Sequence, residues 1–472
     1  MTDKRIKCFV PADFDACGDF GTEVEYKRIE SAFYSCAALR EIGELIAGEE
    51  YVLVFFKDSA PRIYPGAIKR MIQVAHMSDA VMLYSDRLQH KGGEVVPAPT
   101  IDYQYGSLRD DFDFGALVLY RVKEFVAAME EAQTQCDCRY AAHYAVRLAM
   151  SRKGSIVHLN ETLYEETERD LRLSGAKQFD YVDPRNRDRQ IEMEQAVTHH
   201  LKAIGAWIAP STAVDVDVNA GEFAVEASVI IPVRNRVRTI GDAIHSALAQ
   251  QCEFAFNVIV VDNHSSDGTS EVISRIAASD ARVVHIVPGD GLGIGGCWNV
   301  GVNSEHCGRY AVQLDSDDKY SGEDTLSKIV AKFREERCAM VIGSYTMTDF
   351  NLNPIAPGLI DHREWTAENG RNNALRINGL GAPRAFFTPV IRAISFPNTS
   401  YGEDYAVGLA ISRCHKIGRV WDSVYACRRW EGNSDAALSV EKVNKNNLYK
   451  DRIRTWELQA RIKMLENGKA AE

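Results

Sequence analysis

The chain has 472 residues, of which 46% are hydrophobic and 26% charged, and it carries a formal net charge of −11. That length allows two or three domains with cores of their own, and the acidic balance argues against a nucleic-acid-binding surface, which needs concentrated lysine and arginine. The eleven cysteines are scattered, with only Cys136 and Cys138 close together, so no zinc site is read and the thiols read as reduced and cytoplasmic. No signal-peptide core opens the chain at "MTDKRIKCFV", and no apolar run, "YVLVFF" from Tyr51 included, is long enough for a membrane helix.

In the N-terminal half, "YVLVFFKDSA" from Tyr51 reads as a buried strand running into a polar loop. The stretch Ser211 to Ser228 is polar, rich in small residues and aperiodic, which predicts a linker over 211–227 between domains at 1–210 and 228–436. Beyond it, "ASVIIPV" reads as a strand, "RTIGDAIHSALAQQ" as a helix with Ile240, Ile244, Ala247 and Leu248 on one face, and "FNVIVVD" as a second strand. A loop and helix, then "RVVHIV" and "YAVQLDSDD", continue the alternation, which predicts an α/β domain with a mostly parallel, doubly wound sheet. Ligands in such sheets sit beyond the carboxyl ends of the strands, where Pro232, Asp262 and Asp315 fall. Residues 437–472 read as a helical segment, with Leu448, Ile453, Trp456 and Leu458 available to pack between domains or to form a homo-oligomer.

The two halves are related. "YAAHYAVRLAMSR" from Tyr140 and "YGEDYAVGLAISR" from Tyr401 share eight residues in register, and at the same offset "LNETLY" ending at Tyr164 meets "VWDSVY" ending at Tyr425. At nearly that offset the Tyr51 strand lies on the Tyr310 strand. The differences are informative: "LDSD" at Leu314 to Asp317 becomes "FFKD" at Phe55 to Asp58, and Glu403-Asp404 becomes Ala142-His143. The N-terminal copy keeps the framework and loses most carboxylates, so His143, Asp58 and Asp86 read as structural or loop residues.

The stretch "GDGLGIGGCWNVG", Gly289 to Gly301, holds Gly291, Gly293 and Gly296 in G-x-G-x-x-G spacing, with Asp315 near the place of a ribose-binding acid. A dinucleotide fingerprint follows the first strand of its unit, however, and here two strand–helix units precede it. The next strand ends in Asp315, Asp317 and Asp318, a crowding of like charge that ribose binding does not use. Clustered carboxylates at a strand end instead suit a hard divalent cation, Mn²⁺ or Mg²⁺, bridging diphosphate oxygens. The glycines then let the chain pass close to that site.

The ordered set "VIIPVRNR", "VIVVDNHSSDGT", "GCWNVG", "LDSDD" and "YGEDYA", within Ala227 to Ser434, resembles the inverting nucleotide-sugar glycosyltransferases of family 2, which have the GT-A fold. The resemblance implies a GT-A, Rossmann-like catalytic domain and a related, degenerate GT-A-like N-terminal domain. It implies that the donor is a nucleotide sugar, first a UDP-sugar, and the acceptor a carbohydrate or glycoconjugate. By matching position, Pro232, its neighbour Arg234 and Asp262 border the nucleotide base and Asn299 belongs to the donor side. Asp315 and Asp317 match the D-x-D that binds ribose and the metal-diphosphate. Asp404 matches the catalytic base, with Glu403 beside it.

Two positions depart from that pattern. Cys297-Trp298-Asn299 stands where many relatives read A-R-N, and Trp430 stands near a histidine that in relatives can complete the metal shell. Asp317 with water, or the donor itself, then completes the shell. Arg428 or Arg429 could neutralise diphosphate, Trp430 could stack on a sugar or pack, and Trp298 reads as core. The alternatives are a sugar-1-phosphate nucleotidyltransferase, against which "IIPVRNRVRT" lacks a glycine-rich loop, and a non-catalytic carbohydrate-binding or scaffold protein, against which one half keeps both carboxylate motifs.

Overall fold

The computed structural model describes residues 5–15, 23–135, 137–167, 186–433 and 438–469; Cys136 and the end of the resembling stretch at Ser434 lie outside them. The chain divides into two compact units, one formed by Met1–Trp207 with Ser439–Glu472, the other by Ile208–Leu438. No helix among the described residues is long and apolar enough to cross a membrane.

In the first unit the strands are β1 (Ile6–Pro11), β2 (Val24–Ile29), β3 (Tyr51–Phe55), β4 (Arg62–Ile63), β5 (Ala80–Lys91), β6 (Glu94–Ala98), β7 (Leu117–Arg121) and β8 (Ser155–Thr167). They form one sheet in the order β2-β1-β3-β7-β5-β8-β4, with β6 paired to β5. All five residues of β3 are buried, because a strand covered on both faces reads as a continuous apolar run. The helix Val440–Lys469 belongs to this unit: Ser107 Oγ donates to Asp451 Oδ2 at 3.0 Å, and a side-chain carbon at Gly106 would collide with the Thr455 backbone.

In the second unit the strands are β9 (Ala227–Val233), β10 (Phe256–Asp262), β11 (Val283–Ile286), β12 (Tyr310–Gln313), β13 (Lys319–Tyr320), β14 (Met340–Thr348), β15 (Pro354–Ile360), β16 (Arg384–Phe387) and β17 (Ile417–Arg428). Their order is β11-β10-β9-β12-β16-β14-β17-β13, with β15 on β14. The unit has the expected α/β architecture. The sheet is parallel from β11 to β12, as expected, and mixed beyond, because β16 runs antiparallel to both β12 and β14. That reversal starts β16 at the carboxyl end of β12 and so brings Arg384 to the ligand-facing edge.

Two expectations change here. Residues 211–227 are packed on the second unit rather than free: Val214 bridges His415, Val216 donates to the Arg337 carbonyl at 2.9 Å, and the Arg309 guanidinium collects the carbonyls of Val218 and Ala220. An arginine thus satisfies backbone groups that an aperiodic segment cannot pair in a ladder. Cys138 is disulfide-bonded, whereas Cys8, Cys36, Cys252, Cys297, Cys307, Cys338, Cys414 and Cys427 form no disulfide. The all-reduced reading is corrected at Cys138, since pairing depends on which sulfurs meet in space.

Strand for strand, β2-β1-β3-β7-β5-β8-β4 repeats the order and sense of β10-β9-β12-β16-β14-β17-β13, and the β5–β6 hairpin repeats β14–β15. Among the described residues β11 has no counterpart in the first unit.

Candidate active site

Three acids follow β12. The Asp315 backbone N–H donates to the Tyr425 hydroxyl of β17 at 3.0 Å, and its Oδ1 accepts from Gln313 Nε2 at 2.9 Å. Asp317 Oδ2 faces three nitrogen donors, Asn433 Nδ2 at 3.2 Å, Trp430 Nε1 at 3.3 Å and Arg236 Nε at 3.5 Å. Asp318 is buried and its Oδ1 accepts the Arg428 backbone N–H at 2.7 Å. Burial raises the Asp315 carboxyl above its ordinary range, with Asp317 adding to the rise while Arg384 and Gln313 oppose it. Burial, then the charges of Asp315 and Asp317, push Asp318 well up.

The second acidic group opens the helix Glu403–Cys414, just after Gly402 at φ +78°. Asp404 Oδ2 lies 3.0 Å from Arg384 Nη1. Glu403 is buried, its Oε2 has no hydrogen-bond partner, and burial followed by the Asp404 charge pushes its carboxyl up to about 8.

The glycine loop sets where this pair lies. Gly293 N–H donates to Asn398 Oδ1 at 2.7 Å, Ile294 N–H to Ser400 Oγ at 3.3 Å and Gly295 N–H to the Thr399 carbonyl at 2.9 Å. A side-chain carbon at Gly295 would collide with the Pro397 carbonyl. The first turn of the helix Ile294–Asn303 is therefore bound to the protein's own Asn398–Ser400 segment, which leads into Glu403. Its N–H groups are not turned to a pyrophosphate, as a dinucleotide site requires.

A family model described as glycosyl transferase family 2 matches residues 228–396. The second unit carries a family 2 glycosyltransferase domain. The putative teichuronic acid biosynthesis glycosyltransferase TuaG of Bacillus subtilis (strain 168) is 32% identical over 128 residues, 27% of this chain and 50% of that relative. The glycosyltransferase AglD of Haloferax volcanii is 31% identical over 129 residues, 26% of this chain and 20% of its own length. The chain thus spans about half the length of the first relative it matches. Among solved structures, S. aureus TarS 1-349 in complex with UDP-GlcNAc aligns at 22% identity with a TM-score of 0.38, covering 50% of this chain and 72% of that one.

Within the glycosyltransferase domain the other expected site residues separate. Pro232 lies half-buried on β9 and Arg234 is exposed just beyond it. Asp262, expected to touch the base, is fully buried and commits its oxygens to the following loop. Its Oδ1 accepts Ser265 N–H at 3.1 Å, its Oδ2 accepts the Ser270 hydroxyl, and His285 Nε2 lies 3.4 Å away. Burial raises its carboxyl, but the Ser265 and Ser270 hydrogen bonds outweigh it and hold the group low. Asn299, expected on the donor side, clamps Phe396 instead, with its amide donating to the carbonyl and accepting the N–H at 2.8 Å each.

Arg428 is buried and paired with Asp242 at 3.0 Å, with its Nε lacking a hydrogen-bond partner, while Arg429 is half-buried with its N–H on the Thr348 carbonyl. Trp430 packs 5.4 Å from Phe350, and the Arg238 guanidinium lies 4.6 Å from the Phe350 ring and 4.9 Å from the Trp430 ring. Trp298 is core, as expected, against Phe386 and Phe396. Among the described residues no group of three or more histidine, cysteine or acidic side chains stands ready to hold a metal. Sequence reasoning missed Arg384, Gln313, Arg236 and Asn433. Arg384 lies in "APRAFF", and its charge among apolar strand residues was the available signal.

Proposed function

We propose that the glycosyltransferase domain moves a sugar from a nucleoside diphosphate donor, first a UDP-sugar, to a hydroxyl of a carbohydrate or glycoconjugate acceptor with inversion. The observation that carries the reading is the pairing of Asp404 with Arg384 across from Asp315, where Arg384 and Asp315 lie in the stretch 228–396 that matches the family 2 model and Asp404 lies just beyond it. The acceptor oxygen attacks the anomeric carbon as the bond to the diphosphate oxygen breaks. Asp404 takes the acceptor proton, and the diphosphate leaves with the electron pair. Glu403, protonated near neutral pH, serves as a hydrogen-bond donor rather than a second base.

A divalent cation fits the acids after β12, because burial and mutual repulsion already raise Asp315 and Asp318 and a cation would relieve that crowding. Asp315 and Asp317 would hold it, and it would neutralise charge developing on the leaving diphosphate. The first unit is proposed as a non-catalytic accessory to this reaction. Its counterpart of Asp404 is His143, which burial pushes down to about 4 and which bonds the Phe33 carbonyl at 2.9 Å.

The test is thermal stabilisation by nucleotides and nucleotide sugars with and without Mn²⁺, for the protein and its Asp315→Ala/Asp317→Ala variant. A ligand at 100 times its Kd stabilises by about 2.7 kcal/mol. A Mn²⁺-dependent shift with UDP species that the variant loses supports the donor site; no shift with any nucleotide overturns it.

A further inference from the structure

Arg384 ties the two acidic groups of the site together. One register step beyond the Val312–Ala385 pair, it stands at the start of β16 beside Gln313, the last residue of β12. Its backbone N–H donates to Gln313 Oε1 at 3.0 Å, and the same side chain donates through Nε2 to Asp315 Oδ1 at 2.9 Å. Gln313 thus keys the strand position of Arg384 to the donor-side carboxylate. At the other end, Arg384 Nη1 donates to the Gly381 carbonyl at 2.6 Å and lies 3.0 Å from Asp404 Oδ2. Gly381 has φ +99°, a conformation open to glycine, which lets its carbonyl hold the guanidinium in that place.

The pair is partly shielded, with side chains 18% and 27% exposed, so the charges act on each other through less water than surface pairs do. The charged and titratable groups facing it are Glu403 on the base's own helix, Asp315 beyond β12, Tyr425 on β17 and Tyr345 on β14. Arg384 is the cation set against these acids. Glu403 beside it is buried with its Oε2 lacking a partner, and burial with the Asp404 charge raises its carboxyl.

We infer that Arg384 is the positioning residue of the transfer reaction: it keeps Asp404 ionised and aimed, acting through the base and not through the donor. The inference rests on the proposed transferase reading and adds a residue to it.

The experiment compares the full chain with Arg384→Met, Arg384→Lys and Asp404→Asn. It reads the melting shift with UDP and Mn²⁺, and UDP release from a UDP-sugar, with water or sugar acceptor, across pH. Arg384→Met is expected to keep the UDP shift and the donor KM, to lose about 100-fold in kcat, and to move the acidic limb of its pH profile upward. Arg384→Lys restores most of the rate, and adding Arg384→Met to Asp404→Asn costs little more, because both act through one group. A UDP shift lost in step with the rate would make Arg384 a donor ligand, and a wild-type rate or an unmoved acidic limb in Arg384→Met would equally overturn the inference. If the unmodified protein shows neither shift nor release, the transferase reading fails first and the inference falls with it.

Discussion

The two units pair their strands alike and put opposite chemistry at matching places. Where the second unit has Asp315, the first has Phe56; where it has Asp404, the first has His143. Arg384 stands beside Gln313 at the start of β16, and the first-unit position in that register is Val118, paired with Val54 on β3. The result is an aromatic box: the His143 ring lies 5.3 Å from Phe33, 6.0 Å from Tyr34 and 5.0 Å from Phe56. Tyr164 and Tyr425 are both buried, yet the Tyr425 hydroxyl accepts the Asp315 N–H while Tyr164 accepts those of Ala116 and Leu117. One scaffold therefore holds either a charged cleft or a packed one, and a handful of side chains decides which.

The sharpest break of the comparison is at the two matching positions. Asp404→Asn should lower transfer by roughly 10²–10⁴-fold with the melting temperature held, whereas His143→Ala should leave turnover per folded molecule intact. Steady-state kinetics beside calorimetry separates the two outcomes.

The reverse graft should cost stability. His143→Asp puts a carboxylate into an aromatic box whose Arg384 counterpart is Val118, and denaturant unfolding should show a loss above about 2 kcal/mol. A neutral result would mean the box opens to water.

Acidity should then push the two sites in opposite directions. Glu403 has a folded-state value raised from 4.5 to about 8, so the folded form binds the extra proton and its contribution is lost as pH rises through that window. His143 is lowered from 6.5 to about 4, so the unfolded form binds the extra proton and stability is lost as pH falls through that window. Unfolding at pH 5 and pH 7 should show Glu403→Gln removing the first dependence and His143→Phe the second.

The smallest effect is expected at Trp430. Trp430→Phe removes the hydrogen bond to Asp317 Oδ2 while Asn433 and Arg236 remain, so stability should change by about 1 kcal/mol or less. A complete loss of nucleotide binding would instead mean that the indole itself touches the donor.

Much of the architecture was legible because it is local. Apolar runs marked β3, β9, β10 and β12, the shared "YA" helices exposed the duplication, and the acids at 315, 317, 403 and 404 stood out by their spacing. Asp262 and Asn299 looked like donor residues because they follow β10 and the glycine loop, but their hydrogen bonds go to Ser270 and Phe396, partners unreadable from spacing. Arg384 was hidden for the opposite reason, being a lone charge in an apolar strand.

By itself the amino-acid sequence determined which segments become strands and helices, that the chain repeats itself, and which half kept its carboxylates, since periodicity and residue identity are properties of neighbours along the chain. Only the tertiary structure decided that β16 enters antiparallel, that Arg384 thereby meets Asp404, and that Glu403 is buried with an unpaired oxygen. Those outcomes depend on contacts between residues far apart in the chain and on how much water is excluded around each charge, and neither is written in local sequence.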